Sequence, residues 1–357
     1  MPTGVSVSST GRLFVCFPRL GDPVKRTVVE LVPRPNGVGR RAVAYPDKEI
    51  NRLDVSAAST HFVSVQSVVV DARDRLWALD TGIPVPNGQP VPGGAKLVAF
   101  DLNTNAVVQT VVFPADLIGA TSFLNDVRFD LTRGRAGVAY VTDASTQGPS
   151  GLIVVDLASG NAVRRLAGQA SVVGDPQFRA VVEGEQVVER PDPESAPARV
   201  RNGTDGIALS ADGRTLYYRP LASRRLYAVD TAALSDFSRS DDQVGATVRD
   251  LGEIGLNDGL ETDSQNRVYL TNVENNAVRR FDPEAGENGT GFNGTFETLS
   301  HNRHLTWPDT FSLGADGSLY VTTSQFNRMA RYNGGVDKRE RPFLLLRIPT
   351  DAAPARR

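Results

Sequence analysis

Residues 207–218 read IALSADGRTLYY, and this stretch indicates how the chain folds. A short apolar run leads to Asp212-Gly213, and a second run rich in β-branched and aromatic residues follows it. Asp-Gly supplies the positive φ that tight hairpin loops require, so the stretch predicts two short antiparallel strands joined by a turn.

The same unit recurs along the chain, with a short strand, a turn and an aromatic strand in each copy. The other copies lie at residues 8–15, 69–79, 127–143, 260–270 and 311–321. A third strand-like run follows several copies, at residues 96–101, 152–156, 226–230 and 278–282. Two β-sandwiches would give no reason for one unit to appear six times, so we predict an all-β, six-bladed β-propeller.

We expect one domain over residues 1–357, with no linker that divides it. A propeller has to close its ring, and the apolar run at residues 343–348 has no hairpin partner of its own. Pairing of this C-terminal strand with the first blade would remove an open sheet edge, so we predict closure in that way.

Composition excludes several classes of function. The 357 residues include 39 Lys and Arg and 41 Asp and Glu, which gives a net charge of −2 at pH 7. Without a basic excess we expect neither nucleic acid nor a membrane as a partner. Cys16 is the single cysteine, so an internal disulfide is excluded. With three histidines in the chain, a reactive site has to rely mainly on carboxylates, amides and hydroxyls.

Polar residues stand directly before five of the predicted inner strands. These positions are Gln66-Ser67, Asn125-Asp126, Thr204–Gly206, Asn257–Gly259 and Pro308–Thr310. Inner strands of a propeller run in one direction around a central axis, so we expect these side chains to meet at one mouth of the channel. Gathered carboxylates repel each other unless a cation or protons neutralise them. Three interpretations stay open: caps for strand ends, one Ca²⁺ or Mg²⁺ ion bound on the axis by oxygen ligands, or a metal-free pocket for a cationic ligand.

Several stretches resemble the yellow/major royal jelly protein family. They are FVSVQSVVVD at 62–71, RLWALDTG at 75–82, YVTDA at 140–144, GLIVVDL at 151–157, LYYRPLAS at 216–223 and LTWPD at 305–309. The resemblance implies a six-bladed propeller that binds a small molecule, because some insect members bind biogenic amines or convert dopachrome. It implies a bacterial-type member, since the paired cysteines of secreted animal members are missing. A secreted or periplasmic location would follow if a leader had been removed; otherwise the first residues, which lack a secretory signal, indicate the cytoplasm.

The inner-strand ends are similar, more distantly, to those of SMP-30/gluconolactonase-like lactonases. Those propellers hold one divalent cation on the axis with a Glu, two Asn and an Asp. Carried over by position, the resemblance assigns the metal ligands to Gln66, Asn125, Asp205 and Asp258. Gln66 stands in place of the Glu and Asp205 in place of an Asn, so the charge of the ligand set stays at −2 and suits one divalent ion.

The first functional hypothesis is a small-molecule-binding propeller with a polar axial pocket for a cationic or aromatic ligand. An ammonium group would pair with the carboxylates of the pocket, including Asp205 and Asp258. Aromatic side chains beside them would add cation–π contacts. The ligand-binding residues on this hypothesis are Gln66, Phe123, Trp307 and Asp309.

The second hypothesis is metal-dependent hydrolysis of a lactone or a related ester. The metal would polarise a carbonyl group, and Asp258 or Asp126 would act as the general base. The third hypothesis is a protein-interaction platform that uses the Pro-rich insertions at residues 83–94 and 177–199 and has an inert axis. The sequence identifies no particular protein partner.

Overall fold

The computed structural model describes residues 1–287 and 293–356. Its strands follow from the repeated hairpin. In the copy at residues 207–218, Leu209 pairs with Leu216 in an antiparallel ladder. Gly213 has a φ of 72°, and its N–H donates to the carbonyl of Ser210 at 2.8 Å. The turn that the sequence predicts is the turn that forms.

The described residues form six large sheets, each a meander of consecutive antiparallel strands. Blades 1 and 2 contain β1 (Gly4–Val7), β2 (Leu13–Cys16), β3 (Val28–Pro33), β4 (Arg40–Ala44), β5 (Val65–Val70), β6 (Arg75–Thr81), β7 (Ala95–Asp101) and β8 (Val107–Val112). Blade 3 contains β9 (Leu124–Asp130), β10 (Val138–Asp143), β11 (Gly151–Asp156) and β12 (Ala162–Arg165). An insertion then forms two small hairpins from β13 (Val181–Val182), β14 (Glu185–Gln186), β15 (Val188–Glu189) and β16 (Ala198–Arg199).

The second half of the chain supplies the other three blades. Blade 4 contains β17 (Thr204–Leu209), β18 (Thr215–Pro220), β19 (Arg225–Asp230) and β20 (Arg249–Glu253). Blade 5 contains β21 (Leu260–Thr262), β22 (Val268–Asn272), β23 (Ala277–Glu287) and β24 (Asn293–His301), and blade 6 contains β25 (Pro308–Leu313), β26 (Ser318–Thr323) and β27 (Leu345–Pro349). The short helices are α1 (Thr231–Ser235) and α2 (Asp241–Gly245), with 3₁₀ turns at Val55–Ala57, Val273–Asn275, Phe326–Arg328 and Ala330–Tyr332. Within the described residues, no helix has the length and apolar character needed to cross a membrane.

The six sheets form a closed ring. Their innermost strands contact one another in the order β1, β5, β9, β17, β21, β25 and back to β1. Apolar clusters fill the spaces between neighbouring blades, as where Trp77 of blade 2 stacks on Phe129 of blade 3 with ring centroids 4.8 Å apart. The predicted six-bladed, all-β propeller is therefore confirmed. Its inner strands are buried, and the polar residues at their N-terminal ends share one mouth of the channel.

The predicted pairing of the C-terminal strand with blade 1 is not found. Strand β27 pairs with β26 of its own blade, with Leu346 opposite Val321. Blade 1 has no vacant edge of the expected kind, because Gly4–Val7 already supplies its inner strand and β2, β3 and β4 complete the sheet. Blade 6 needs β27 as its third strand.

The residues after β27 tie the ring together across the face opposite the polar mouth. The carbonyl of Ala353 accepts the N–H of Ser264 at 2.9 Å, and Pro354 bridges to Asp263 in blade 5. Arg356 then donates to the carbonyl of Val7 in blade 1. This tail also closes the lower end of the axial channel, whose lining includes Pro354, Ala355 and Arg356.

We expect Arg356→Met to lower the free energy of unfolding by about 1 kcal/mol, because it leaves the carbonyl of Val7 without its donor. Chemical denaturation measures the difference. Arg214→Met is the matched control: its side chain is 85% exposed and lies 3.8 Å from Asp212, so its loss should cost close to nothing. Equal stabilities for the two variants would show that the tail contributes no closure energy.

Candidate ligand site on the propeller axis

Irregular strand starts place polar side chains at the axial mouth. In β17, the two residues Asp205 and Gly206 stand opposite the single residue Arg219. The same kind of register shift occurs at Gln66, at Asn125-Asp126 and at Asp309-Thr310. Bulges of this kind bend a strand and redirect its side chains. The same irregularity thus shapes the mouth in blades 2, 3, 4 and 6.

Glycines let the neighbouring inner strands approach closely beside these residues. A Cβ on Gly206 would lie 2.1 Å from the carbonyl oxygen of Asp258, and a Cβ on Gly259 would lie 2.2 Å from that of Asp309. The N–H of Gly259 donates to the same Asp309 carbonyl at 2.6 Å. The glycines of the two Asp-Gly pairs therefore serve the close packing of neighbouring blades.

Three of the predicted residues are joined by hydrogen bonds around the mouth. The side-chain amide of Gln66 donates to Asn125 Oδ1 at 2.8 Å. The amide of Asn125 donates in turn to Asp205 Oδ1. The oxygen of the first amide, Gln66 Oε1, is buried and accepts no hydrogen bond. The arrangement leaves one strong acceptor free at the axis.

Three carboxyl groups are buried together beside this chain of amides, each less than a tenth exposed. Burial and repulsion from Asp258 and Asp309 raise the pKa of Asp205 well above its ordinary value. Burial raises the pKa of Asp258 to about 6, although hydrogen bonds from Asp205 and Trp307 oppose the change. Burial and the charge of Asp258 also raise the pKa of Asp309 well above its ordinary value. The site holds protons tightly because it is short of positive charge.

One buried cation lies near enough to act on these groups without pairing with them. The charge of Arg219 opposes the rise in pKa of Asp205 and Asp258. Its Nη2 donates to the carbonyl of Ser223, while Nε and Nη1 are buried without a hydrogen-bond partner. Burial lowers the pKa of Arg219 to about 10. Across residues 1–287 and 293–356, no Lys, Arg or His forms an ion pair with any of the three carboxylates.

Asp126, the other predicted base, lies deeper in the channel and is already paired. Both of its oxygens accept hydrogen bonds from Arg128 Nη1, at 3.0 and 2.9 Å, and Ser67 donates to it at 2.7 Å. Arg128 also donates to the carbonyl of Leu260 across the channel at 2.6 Å. Asp126 therefore forms an ion pair with Arg128, in contrast to the three carboxylates above it.

The two predicted aromatic residues occupy different positions. Trp307 is buried, and its indole N–H donates to Asp258 Oδ2 at 2.6 Å. Its backbone has a φ of 49°, a left-handed conformation that is rare and strained for a bulky side chain. Phe123 is half-buried at the rim, just before β9. Trp307 thus orients a pocket carboxylate, a role that its place in the sequence did not indicate.

The insertion between blades 3 and 4 lies over the mouth. Val182 and Val187 pack in one apolar cluster with Trp307, Met329 and Tyr332. The side chains of the insertion that were expected to offer an interaction surface are therefore partly turned toward the axis. The interaction-platform hypothesis stays a prediction.

The donors of the mouth can be compared with the needs of the divalent cation that the sequence predicts there. In the part of the chain that the structure describes, no group of three or more His, Cys, Asp or Glu side chains is placed to hold a metal ion. The predicted ligands nevertheless include oxygen donors: Gln66 Oε1 has no hydrogen-bond partner, and the carboxyl groups of Asp205 and Asp258 interact with each other. The donor type and charge fit a hard cation such as Ca²⁺.

A closed ring of six blades with buried carboxylates at one mouth defines a six-bladed β-propeller with an axial site. The chain belongs to the major royal jelly protein family, whose sequence profile matches residues 63–355. Major royal jelly protein 1 of Apis mellifera is 30% identical over 207 residues, which cover 55% of this chain and 43% of that protein. The chain therefore matches less than half the length of this relative. The resemblance seen in the sequence is confirmed.

Two solved structures share the architecture. The calcium-binding protein regucalcin from Agrobacterium tumefaciens has a TM-score of 0.55 at 13% identity, covering 99% of this chain and 91% of that one. A gluconolactonase from Xanthomonas campestris has a TM-score of 0.50 at 14% identity, covering 91% and 83%. At these identities the likeness shows the fold, and the chemistry of the site has to be argued from its own residues.

Proposed function

We propose that this protein binds a small organic cation, an amine with an apolar or aromatic body, at the axial mouth. The observation that carries the proposal is the cluster of Asp205, Asp258 and Asp309, which are buried together with no ion pair from the described residues. An ammonium group would supply the missing positive charge and donate hydrogen bonds to the carboxylates. The free acceptor Gln66 Oε1 offers a further contact.

Binding of a cation to these carboxyl groups should release protons from them. Burial raises the pKa of Asp258 to about 6, so a cation has to compete with a proton below that pH. We expect the affinity for phenethylamine to fall as the pH drops through 6, by about tenfold per pH unit for each carboxylate that has to lose a proton. Isothermal titration calorimetry in buffers of different ionisation heat measures both the affinity and the proton count.

Phenylethyl alcohol is the matched control ligand, because it has the same aromatic body and no charge. We expect it to bind at least tenfold more weakly than phenethylamine at pH 7.5. Equal binding of the two compounds, or an amine affinity that does not change between pH 5 and 7.5, would show that the carboxylates are not the recognition element.

A second function is supported by the oxygen donors of the same mouth. Gln66, Asp205 and Asp258 would hold a divalent cation, which when bound would polarise a lactone carbonyl and acidify a water molecule. The carboxylate of Asp258, at the same mouth, would accept the proton of that water. Similarity in fold to a calcium-binding protein and to a gluconolactonase agrees with this alternative.

Calcium separates the two functions. A native-state ligand present at 100 times its Kd stabilises a protein by about 2.7 kcal/mol, so Ca²⁺ binding would raise the melting temperature. Metal-dependent lactone hydrolysis that disappears with a chelator and in Asp258→Asn would favour the hydrolase. Amine binding that survives the chelator, with no calcium-dependent stabilisation, would favour the cation-binding function.

A further inference from the structure

A second cavity lies outside the axial mouth, between the insertion and the segment that follows β26. Its volume is about 230 Å³. Its floor is apolar and its rim is charged, and its lining includes Val182, Glu183, Val187, Arg328, Tyr332 and Lys338. It uses none of the residues assigned so far to the axial site.

A row of three aromatic rings in tilted contact leads from this outer cavity to the carboxylates. Tyr332 lines the cavity and lies with its ring centroid 4.9 Å from that of Phe326. Phe326 lies 5.0 Å from Trp307, whose indole N–H reaches Asp258. We call Trp307, Phe326 and Tyr332 the aromatic septum. A ligand in the outer cavity would have to displace part of it to reach the charged groups.

The segment that carries two of these rings is held down by exposed ion pairs. Arg328 pairs with Glu183, and Arg331 Nη2 donates to Glu189 Oε1 at 2.7 Å. These side chains keep 22 to 36% of their surface exposed. Ion pairs in such surroundings contribute about 0.2–1 kcal/mol each, so they can hold a segment closed and still release it.

Backbone contacts and hinge residues complete the arrangement. The N–H of Arg190 donates to the carbonyl of Arg331 at 2.7 Å, and the N–H of Gly334 donates to that of Arg190 at 2.8 Å. Left-handed residues stand at both ends of the segment, with a φ of 54° at Gln325 and 60° at Gly334. Between these points the chain forms two single 3₁₀ turns, whose hydrogen bonds have poorer geometry than those of an α-helix.

We propose that the outer cavity is a vestibule to the axial pocket and that residues 326–333 are a lid that opens it. The ion pairs Glu183–Arg328 and Glu189–Arg331 are the latch, and the aromatic septum is the barrier that the ligand passes. The inference rests on the proposed axial site for its ligand. The lid itself is a property of the protein alone, so it can be tested without a ligand.

The ligand-free test uses Glu183→Gln/Glu189→Gln, which removes the latch charges from exposed positions. We expect amide hydrogen exchange at Arg190 and Gly334 to become about two- to thirtyfold faster, because these N–H groups bridge the insertion and the lid and the two ion pairs together contribute about 0.4–2 kcal/mol. The matched control is Asp250→Asn, which breaks an exposed ion pair of 2.9 Å with Arg225 in blade 4. Unchanged exchange in the latch variant, or equal acceleration in the control, would overturn the lid.

The ligand test follows phenethylamine by stopped-flow fluorescence. We expect the latch variant to raise the association and dissociation rate constants together, each by threefold or more, with the Kd changed by less than threefold. Rate constants equal to those of wild type, in a variant whose lid exchanges faster, would overturn the vestibule role. If wild type binds no amine, the proposed function fails, and the exchange experiment still decides the lid.

Discussion

Replacement of Asp258 by Asn is expected to weaken phenethylamine binding at pH 7.5 by about 30-fold or more, since loss of one partner of a buried charge pair costs about 2 kcal/mol or more. Asp258 has a pKa of about 6 and therefore carries charge at this pH. Asn keeps an acceptor for the indole N–H of Trp307, so the change removes the charge and preserves the shape. Isothermal titration calorimetry gives the ratio of affinities.

The same substitution at Asp316 is the control. Asp316 lies in the turn of blade 6 at the opposite face, where it accepts hydrogen bonds from Tyr320 Oη and Arg347 Nη2, both at 2.9 Å. We expect Asp316→Asn to bind the amine within twofold of wild type. Wild-type affinity in Asp258→Asn would remove this residue from the site, whereas a loss in both variants would point to a general structural effect.

The blade repeat could be predicted because its determinants are local. Each Asp-Gly or similar turn fixes a hairpin within about twelve residues, and alternation of apolar residues fixes which face is buried. Closure of the ring is a different problem, because it depends on which sheet edge remains open. Strand Gly4–Val7 already forms the inner edge of blade 1. The residues of the apolar strand Leu345–Pro349 do not indicate which blade it will join.

The candidate site could be predicted in position and only partly in chemistry. The sequence places Gln66, Asn125 and Asp205 before the inner strands; the structure has each of them as the second residue of its strand, and they still meet at one mouth. The difference between Asp126 and Asp258 also had a signal: Asp126 and Arg128 are two residues apart on one strand, so they share a face and can pair.

Other parts of the site have no signal in a single sequence. The bond from Trp307 to Asp258 joins residues 49 positions apart, and the latch from Arg328 to Glu183 joins residues 145 apart. Such contacts depend on how the insertion folds back over the ring, which turn chemistry does not specify. The left-handed φ of Trp307 likewise depends on how the insertion packs against the blades.

Asp309→Asn is expected to stabilise the protein at pH 7.5 by roughly 1–3 kcal/mol, because a buried polar group that lacks a full set of partners costs about that much. The melting temperature should rise by a few degrees. Burial and the charge of Asp258 raise the pKa of Asp309 in the folded state. The native state therefore binds this proton more tightly than the unfolded chain does. The resulting stabilisation is complete below the unfolded pKa of about 4 and is lost as the pH rises through the folded-state pKa.

Because Asn does not titrate, the advantage of the variant should be small near pH 4 and should grow toward pH 7.5. Asp22→Asn is the control of opposite sign, because hydrogen bonds from Arg339 lower the pKa of Asp22 even though burial opposes them. That variant should be less stable than wild type at pH 7.5, with a deficit that shrinks as the pH falls. A lower melting temperature for Asp309→Asn at pH 7.5 would mean that its carboxylate is compensated in the folded protein, and the charge deficit that attracts a cation would then be smaller than the geometry indicates.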